Sequence, residues 1–124
     1  MVSYKLFDLP EEWDNATKLS FLQRRVIVYS IQYYVMDSPV VTDIQYDTCA
    51  RQLEKLMNES TEEEHEKSKY WYCMHNFTAD TGFDIYHRLN DEDREYLVHL
   101  ADVIIDNYRK GRGMKPSRDT QSIL

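Results

Sequence analysis

Apolar side chains recur at intervals of three and four along most of this chain, and almost nothing interrupts them. Its 124 residues contain three glycines and three prolines, too few for the repeated tight turns of an all-β fold. An all-α chain is expected. The 42% apolar and 13% aromatic content can supply a core, and at this length one compact domain is expected, built as a helical hairpin plus two or more further helices.

An N-terminal arm (residues 1–18, turning helical after about Asp14) leads into the first long helix. Its stripe is Leu19, Leu22, Val26, Tyr29 and Tyr33. Asp37-Ser38-Pro39 ends it, because proline disfavours helical geometry in the residue before it. The next helix opens on Thr42-Asp-Ile-Gln45, a capping box in which hydroxyl and amide satisfy early backbone donors, and Asp43 suits the positive helix end. It buries Tyr46, Cys49/Ala50, Leu53 and Leu56/Met57, completing a hairpin over residues 19–59.

Residues 60–110 form a helical extension of the same domain. Ser60-x-x-Glu63 reads as a second capping box, opening a helix through Tyr70, Cys73/Met74 and Phe77. The aromatic run over 69–77 also suits a strand. Gly82 marks a turn. Asn90 caps a last helix with the stripe Leu97, Leu100/Ala101, Ile104 and Tyr108, stopped by Gly111. A basic, flexible tail over 111–124 is expected beyond it.

The net charge of −7 conceals an uneven distribution. Residues 1–108 hold ten basic and 21 acidic groups, whereas residues 109–124 hold five basic groups and one acidic group. A body this acidic disfavours direct duplex DNA binding, leaving weak phosphate contact to residues 109–118. Cys49 and Cys73 lie within apolar helical patterns and read as buried thiols of a reducing compartment. No run approaches the roughly 20 apolar residues of a membrane span. A cytoplasmic protein is expected.

Chemistry concentrates at one corner. Tyr33-Tyr34-Val-Met-Asp37-Ser-Pro39-Val-Val-Thr-Asp43-Ile-Gln-Tyr46-Asp47 brings three tyrosines and three aspartates around the hairpin bend. Asp43 and Asp47, four apart, share a helix face, with Tyr46 beside them and Tyr33 and Tyr34 on the preceding helix. Tyrosine faces attract a flat cationic ring, and carboxylates accept hydrogen bonds from an amide or from ribose hydroxyls. The same tyrosines and the capping Asp43 also have a plain role in closing a helical hairpin.

This stretch resembles the small N-terminal helical domain, Ia, of bacterial NAD-dependent DNA ligases, with its aromatic-rich helix end followed by D-x-P-x-x-x-D-x-x-Y-D. The resemblance covers about Leu19 to Glu59, including Asp37, Pro39, Asp43, Tyr46, Asp47 and the trailing Arg51-Gln-Leu-Glu-Lys-Leu. It implies binding of NAD, through its nicotinamide mononucleotide half, which a lysine of the next ligase domain displaces on becoming adenylated. By the same resemblance Tyr33 packs on the nicotinamide, Tyr34 stands where the family has histidine or tyrosine, and Asp43, Tyr46 and Asp47 hold amide and ribose.

None of the seven lysines begins the Lys-x-Asp-Gly motif of the ligase adenylation domain, and residues 60–124 do not resemble the ligase continuation. The expectation is a non-catalytic binding module partnered with a separate nucleotidyltransferase. The alternative is an acidic protein-interaction module, such as a viral inhibitor or regulator of a nucleic-acid-binding partner, that no longer binds nucleotide. Cys73, His75, His65 and His87 lack paired metal-ligand spacing, so no metal is expected. Asp91-Glu92-Asp93 reads as the acidic start of a helix.

Overall fold

The computed structural model describes residues 6–80 and 82–113. Among these the chain is all-α, with α1 (Asn15–Ser30), α2 (Asp43–Glu59), α3 (Glu62–Lys67), α4 (Trp71–Met74), α5 (Ile85–Arg88) and α6 (Asp91–Gly113). A π-helical turn, Ile31–Val35, continues α1, and a 3₁₀ turn, Gly82–Asp84, precedes α5. No helix among the described residues is long and apolar enough to cross a membrane.

α1 begins where Asp14 Oδ1 accepts a hydrogen bond from the Thr17 N–H at 2.8 Å, capping a helix whose first amides would otherwise lack partners. From Leu22 onward it is buried on nearly all sides, with Gln23, Arg25 and every residue from Val26 to Gln32 removed from solvent. A two-faced surface helix does not look like this. The neighbours that cover it are α2, α3, α5, α6 and the turn at Gly82. The N-terminal arm adds another layer, with Phe7 edge-on to Phe21 at 5.2 Å and Trp13 against the same ring. The Arg25 guanidinium lies 5.2 Å from both the Phe7 and Phe21 rings, a favourable setting for a buried cation.

Three glutamines tie this core to other segments of the chain. Gln23 donates from Nε2 to Ser68 Oγ at 2.9 Å and accepts from the Tyr70 N–H at 3.0 Å. Gln32 donates to the Ala101 carbonyl of α6 at 3.1 Å. Gln52 of α2 accepts from the Leu6 and Phe7 amides and donates to the Phe7 carbonyl at 2.8 Å. The Leu6, Phe7 and Tyr70 amides and the Phe7 carbonyl lie outside the helices, so these bonds satisfy main-chain groups that no helix serves.

Several expectations need correction. The predicted stripe puts Tyr33 in the core one turn after Tyr29, yet Tyr33 is exposed while Tyr29 and Gln32 are buried. The wider π turn rotates the helix face, so the 3.6-residue spacing fails there. The second capping box is Thr61-x-x-Glu64 rather than Ser60-x-x-Glu63. Ser60 instead ends α2, its hydroxyl donating to the Leu56 carbonyl. Adjacent hydroxyl residues before a run of three glutamates make the two registers alike in sequence. The third helix is two short pieces broken at Ser68–Tyr70, where Gln23 takes the chain's hydrogen bonds, and the strand alternative for 69–77 is not adopted.

At the far end, α6 continues through Gly111 to Gly113. A glycine stops a helix only when the backbone turns left-handed there, and a helical φ costs it entropy alone. The rest of the basic tail, 114–124, lies outside the described residues. Asn90 caps α6 as expected, accepting from the Asp93 N–H at 2.7 Å, and Cys49 and Cys73 are free, buried thiols.

Replacing Gln23 by alanine strips two buried partners at once. The expected loss is about 3 kcal/mol, from unsatisfied groups plus a cavity. Urea unfolding measures it; a loss below about 1 kcal/mol would show that water replaces both bonds.

Candidate functional site

Two devices shape the corner between α1 and α2. The first is the π turn, in which the Met36 N–H donates to the Ile31 carbonyl at 2.9 Å. The second is Asp37, whose φ of 51° is left-handed. Ser38 N–H then reaches back to the Gln32 carbonyl at 2.7 Å, a seven-to-one bond, one residue wider than the six-to-one bond of a Schellman stop, as the π turn before it requires. Aspartate is among the few side-chain-bearing residues that visit this region. Pro39 follows the stop, and Asp37 makes it. Across the loop, Thr42 and Gln45 form the expected capping box, with bonds of 3.1 and 2.9 Å.

The turn presents Tyr33 and Tyr34 outward, 39% and 49% exposed, edge to face with centroids 4.8 Å apart. Tyr33 is also near-parallel to Tyr46 of α2, 16° between planes and 6.4 Å between centroids. Tyr34 and Asp47 both act electrostatically on the Tyr46 hydroxyl, and these effects, with burial foremost, hold its pKa far above the ordinary value. Tyr46 is therefore un-ionised at any physiological pH. Four of the five predicted residues, Tyr33, Tyr34, Tyr46 and Asp47, thus form one cluster. Asp43 stands one turn earlier on the Asp47 face of α2, exposed in the first turn.

Asp47 Oδ2 accepts from Arg51 Nε at 3.0 Å. Both side chains are well exposed, so the pair orients the carboxylate more than it stabilises the fold. The remaining oxygen, Oδ1, is available to a donor from outside.

The Tyr46 hydroxyl is the anomaly of the corner. It is buried without a hydrogen-bond partner among the described residues, and a Cβ placed on Gly82 would overlap it. The 3₁₀ turn that begins at Gly82 thus lies directly on the tyrosine, and at Gly82 only a residue without a side chain fits. Ala79 N–H anchors the same loop on α2 through Glu54 Oε2 at 3.2 Å. Nothing in the local sequence around Gly82 signals this contact; glycine there reads as a turn and nothing more.

The other candidates have structural work. His65 Nε2 lies 2.7 Å from the Met57 carbonyl and its ring stacks on Trp71 at 4.5 Å. Burial pushes the Cys49 thiol up to about 12 and the Cys73 thiol up to about 11, so neither supplies a thiolate near neutrality. Among the described residues no group of three or more His, Cys, Asp or Glu is placed to hold a metal ion. Asp93 accepts from the Tyr72 hydroxyl at 2.6 Å at the start of α6. A separate open cleft of about 530 Å³ runs along α6, lined by Tyr86, Arg94, Glu95 and His99. It touches the corner only through Met36 and contains none of the five predicted residues.

Residues 12–69 match the model of the DNA ligase-like, N-terminal NAD+-binding domain. The match spans 58 of the 124 residues and shows a likeness to that family over this segment. The ligase-type segment therefore starts before α1 and runs through α3, wider on both sides than the 19–59 stretch that carries the motif. It includes all five corner residues, whereas Gly82 and all of α6 lie beyond it. Comparisons with curated proteins and with solved structures gave no match.

A buried hydroxyl with no partner carries a desolvation penalty, so Tyr46→Phe is expected to stabilise the protein by about 1 kcal/mol. Gly82→Ala should cost about 1–3 kcal/mol by overpacking, and Tyr46→Phe in the same chain should recover much of it. Thermal unfolding of the four proteins tests this cycle; destabilisation by Tyr46→Phe alone would mean that the hydroxyl has a partner.

Proposed function

We propose that this chain is a non-catalytic binding module for the nicotinamide mononucleotide half of NAD+, and that it presents this ligand to a separate nucleotidyltransferase. The observation that carries the reading is the exposed Tyr33–Tyr34 pair, turned outward by a π segment within a segment of an NAD+-binding family. A standard helical turn would bury Tyr33 with Tyr29. Rotating that ring into water forfeits burial worth about 1.5–3 kcal/mol for a large apolar side chain, a sacrifice that a ligand ring can recover.

In this reading the cationic nicotinamide packs on Tyr33 with Tyr34 closing the edge, since tyrosine faces attract positive charge. Asp47 Oδ1 accepts from ribose or amide, while Arg51 holds Oδ2 and fixes the carboxylate plane. Asp43 extends the acceptor face one turn along α2. Tyr46 supplies ring surface, its hydroxyl being turned away under Gly82. No group in this set forms a covalent bond to the ligand. The sequence holds no Lys-x-Asp-Gly motif, so adenyl transfer requires a lysine from another polypeptide or domain.

Calorimetric titration with nicotinamide mononucleotide, NAD+ and AMP tests the proposal. Binding of the first two and not of AMP is expected, with Asp47→Ala weakening it by about tenfold or more, the worth of a hydrogen bond to a charged group. Absence of binding at millimolar ligand would leave the acidic protein-interaction module as the better reading. That reading draws on the 62% exposed Phe83 and the half-exposed Tyr96 of the second half.

A further inference from the structure

The corner is rich in carboxylates. Asp37, Asp43 and Asp47 lie on or next to it, and Arg51 is already engaged by Asp47. A nicotinamide nucleotide brings a phosphate as well as a cationic ring, and a phosphate beside three carboxylates is repelled unless a cation stands with it. α6 supplies one. Arg109 Nη2 donates to Ser38 Oγ at 3.2 Å, across 71 positions of sequence. Ser38 sits between the turn that carries Tyr33 and Tyr34 and the loop that leads to Asp43.

The partner of this guanidinium is a neutral hydroxyl. Among the described residues no carboxylate lies within ion-pair distance of Arg109, whereas its neighbour Lys110 is paired with Asp106 at 3.0 Å. A guanidinium has five N–H donors in a fork that suits phosphate oxygens, and one bond to Ser38 leaves most of them open. The placement is well supported: Gln32, inside the π turn itself, bonds to the Ala101 carbonyl two turns earlier on α6. The same helix–helix contact that shapes the tyrosine turn thus delivers Arg109 to the loop beside it.

We propose that Arg109 is the phosphate-contacting residue of the nicotinamide-nucleotide site, contributed by a helix that lies outside the ligase-type segment. This inference rests on the reading of the corner as a nicotinamide-nucleotide site. Ser38 holds the guanidinium at the rim, and the phosphate takes its remaining donors when ring and ribose occupy the tyrosine–aspartate face. Arg109 is exposed, so its replacement removes charge without opening the core.

The test compares nicotinamide mononucleotide with nicotinamide riboside, which lacks the phosphate, on the full chain and on Arg109→Gln and Arg109→Glu. The wild-type protein is expected to prefer the mononucleotide by about tenfold, as for one charge-assisted phosphate contact. Arg109→Gln should abolish that preference with riboside affinity and melting temperature unchanged, and Arg109→Glu should invert it. Mononucleotide preference retained in both variants overturns the assignment of Arg109 while leaving the corner's function standing. Failure of the wild-type chain to bind either ligand overturns both.

Discussion

Enclosure of α1 is the constraint on which the rest of this molecule depends. A helix buried from Leu22 to Gln32 on nearly every side cannot be stabilised by one partner, so α2, the N-terminal arm, the 60–90 region and α6 must all fold against it. That demand creates a polar problem, since the irregular segments between short helices bring unpaired main-chain groups into the interior. Glutamine is well suited to it, with a donor and an acceptor on one uncharged end. Gln23, Gln32 and Gln52 each bond to the backbone of a segment distant in sequence. The second half is thereby integral to the core that includes the ligase-type segment.

The same enclosure explains the corner. Where α1 meets α6, Gln32 must turn inward to reach Ala101, and the π turn lets it do so while Tyr33 and Tyr34 swing out. Asp37 then ends the helix with a left-handed residue, and the chain returns into a capped α2. Each of these features has a local cost, in helix geometry, backbone conformation or exposed aromatic surface. All three fall within the residues that the NAD+-binding family model covers.

Residues outside the ligase-type segment reach the corner from two directions. Gly82 lies on Tyr46 from one side, and Arg109 meets Ser38 from another. The first decides which part of Tyr46 faces outward, its ring surface and not its hydroxyl. The second places a cation at the edge of an acidic face. The uneven charge along the chain has a spatial sense here, because the start of the basic C-terminal stretch meets the acidic corner at Ser38.

Much was legible in the sequence because it follows from local chemistry. Apolar spacing named the two helices of the hairpin and most of their buried faces, Thr42-x-x-Gln45 and Asn90 marked helix starts, and the ordered run from Tyr33 to Asp47 marked the corner and its family. Those signals lie within a few residues of one another, where propensity and capping act directly. What failed were choices among locally equivalent options: Ser60 against Thr61 as a cap, a continuous third helix against two pieces, Gly111 as a stop against Gly111 within a helix. Tyr33 as exposed ring, Tyr46 with its hydroxyl under Gly82, and Arg109 beside Ser38 were decided only by the tertiary structure. Each results from a contact between segments far apart in sequence, and no periodicity encodes which distant backbone a buried glutamine or a glycine will meet.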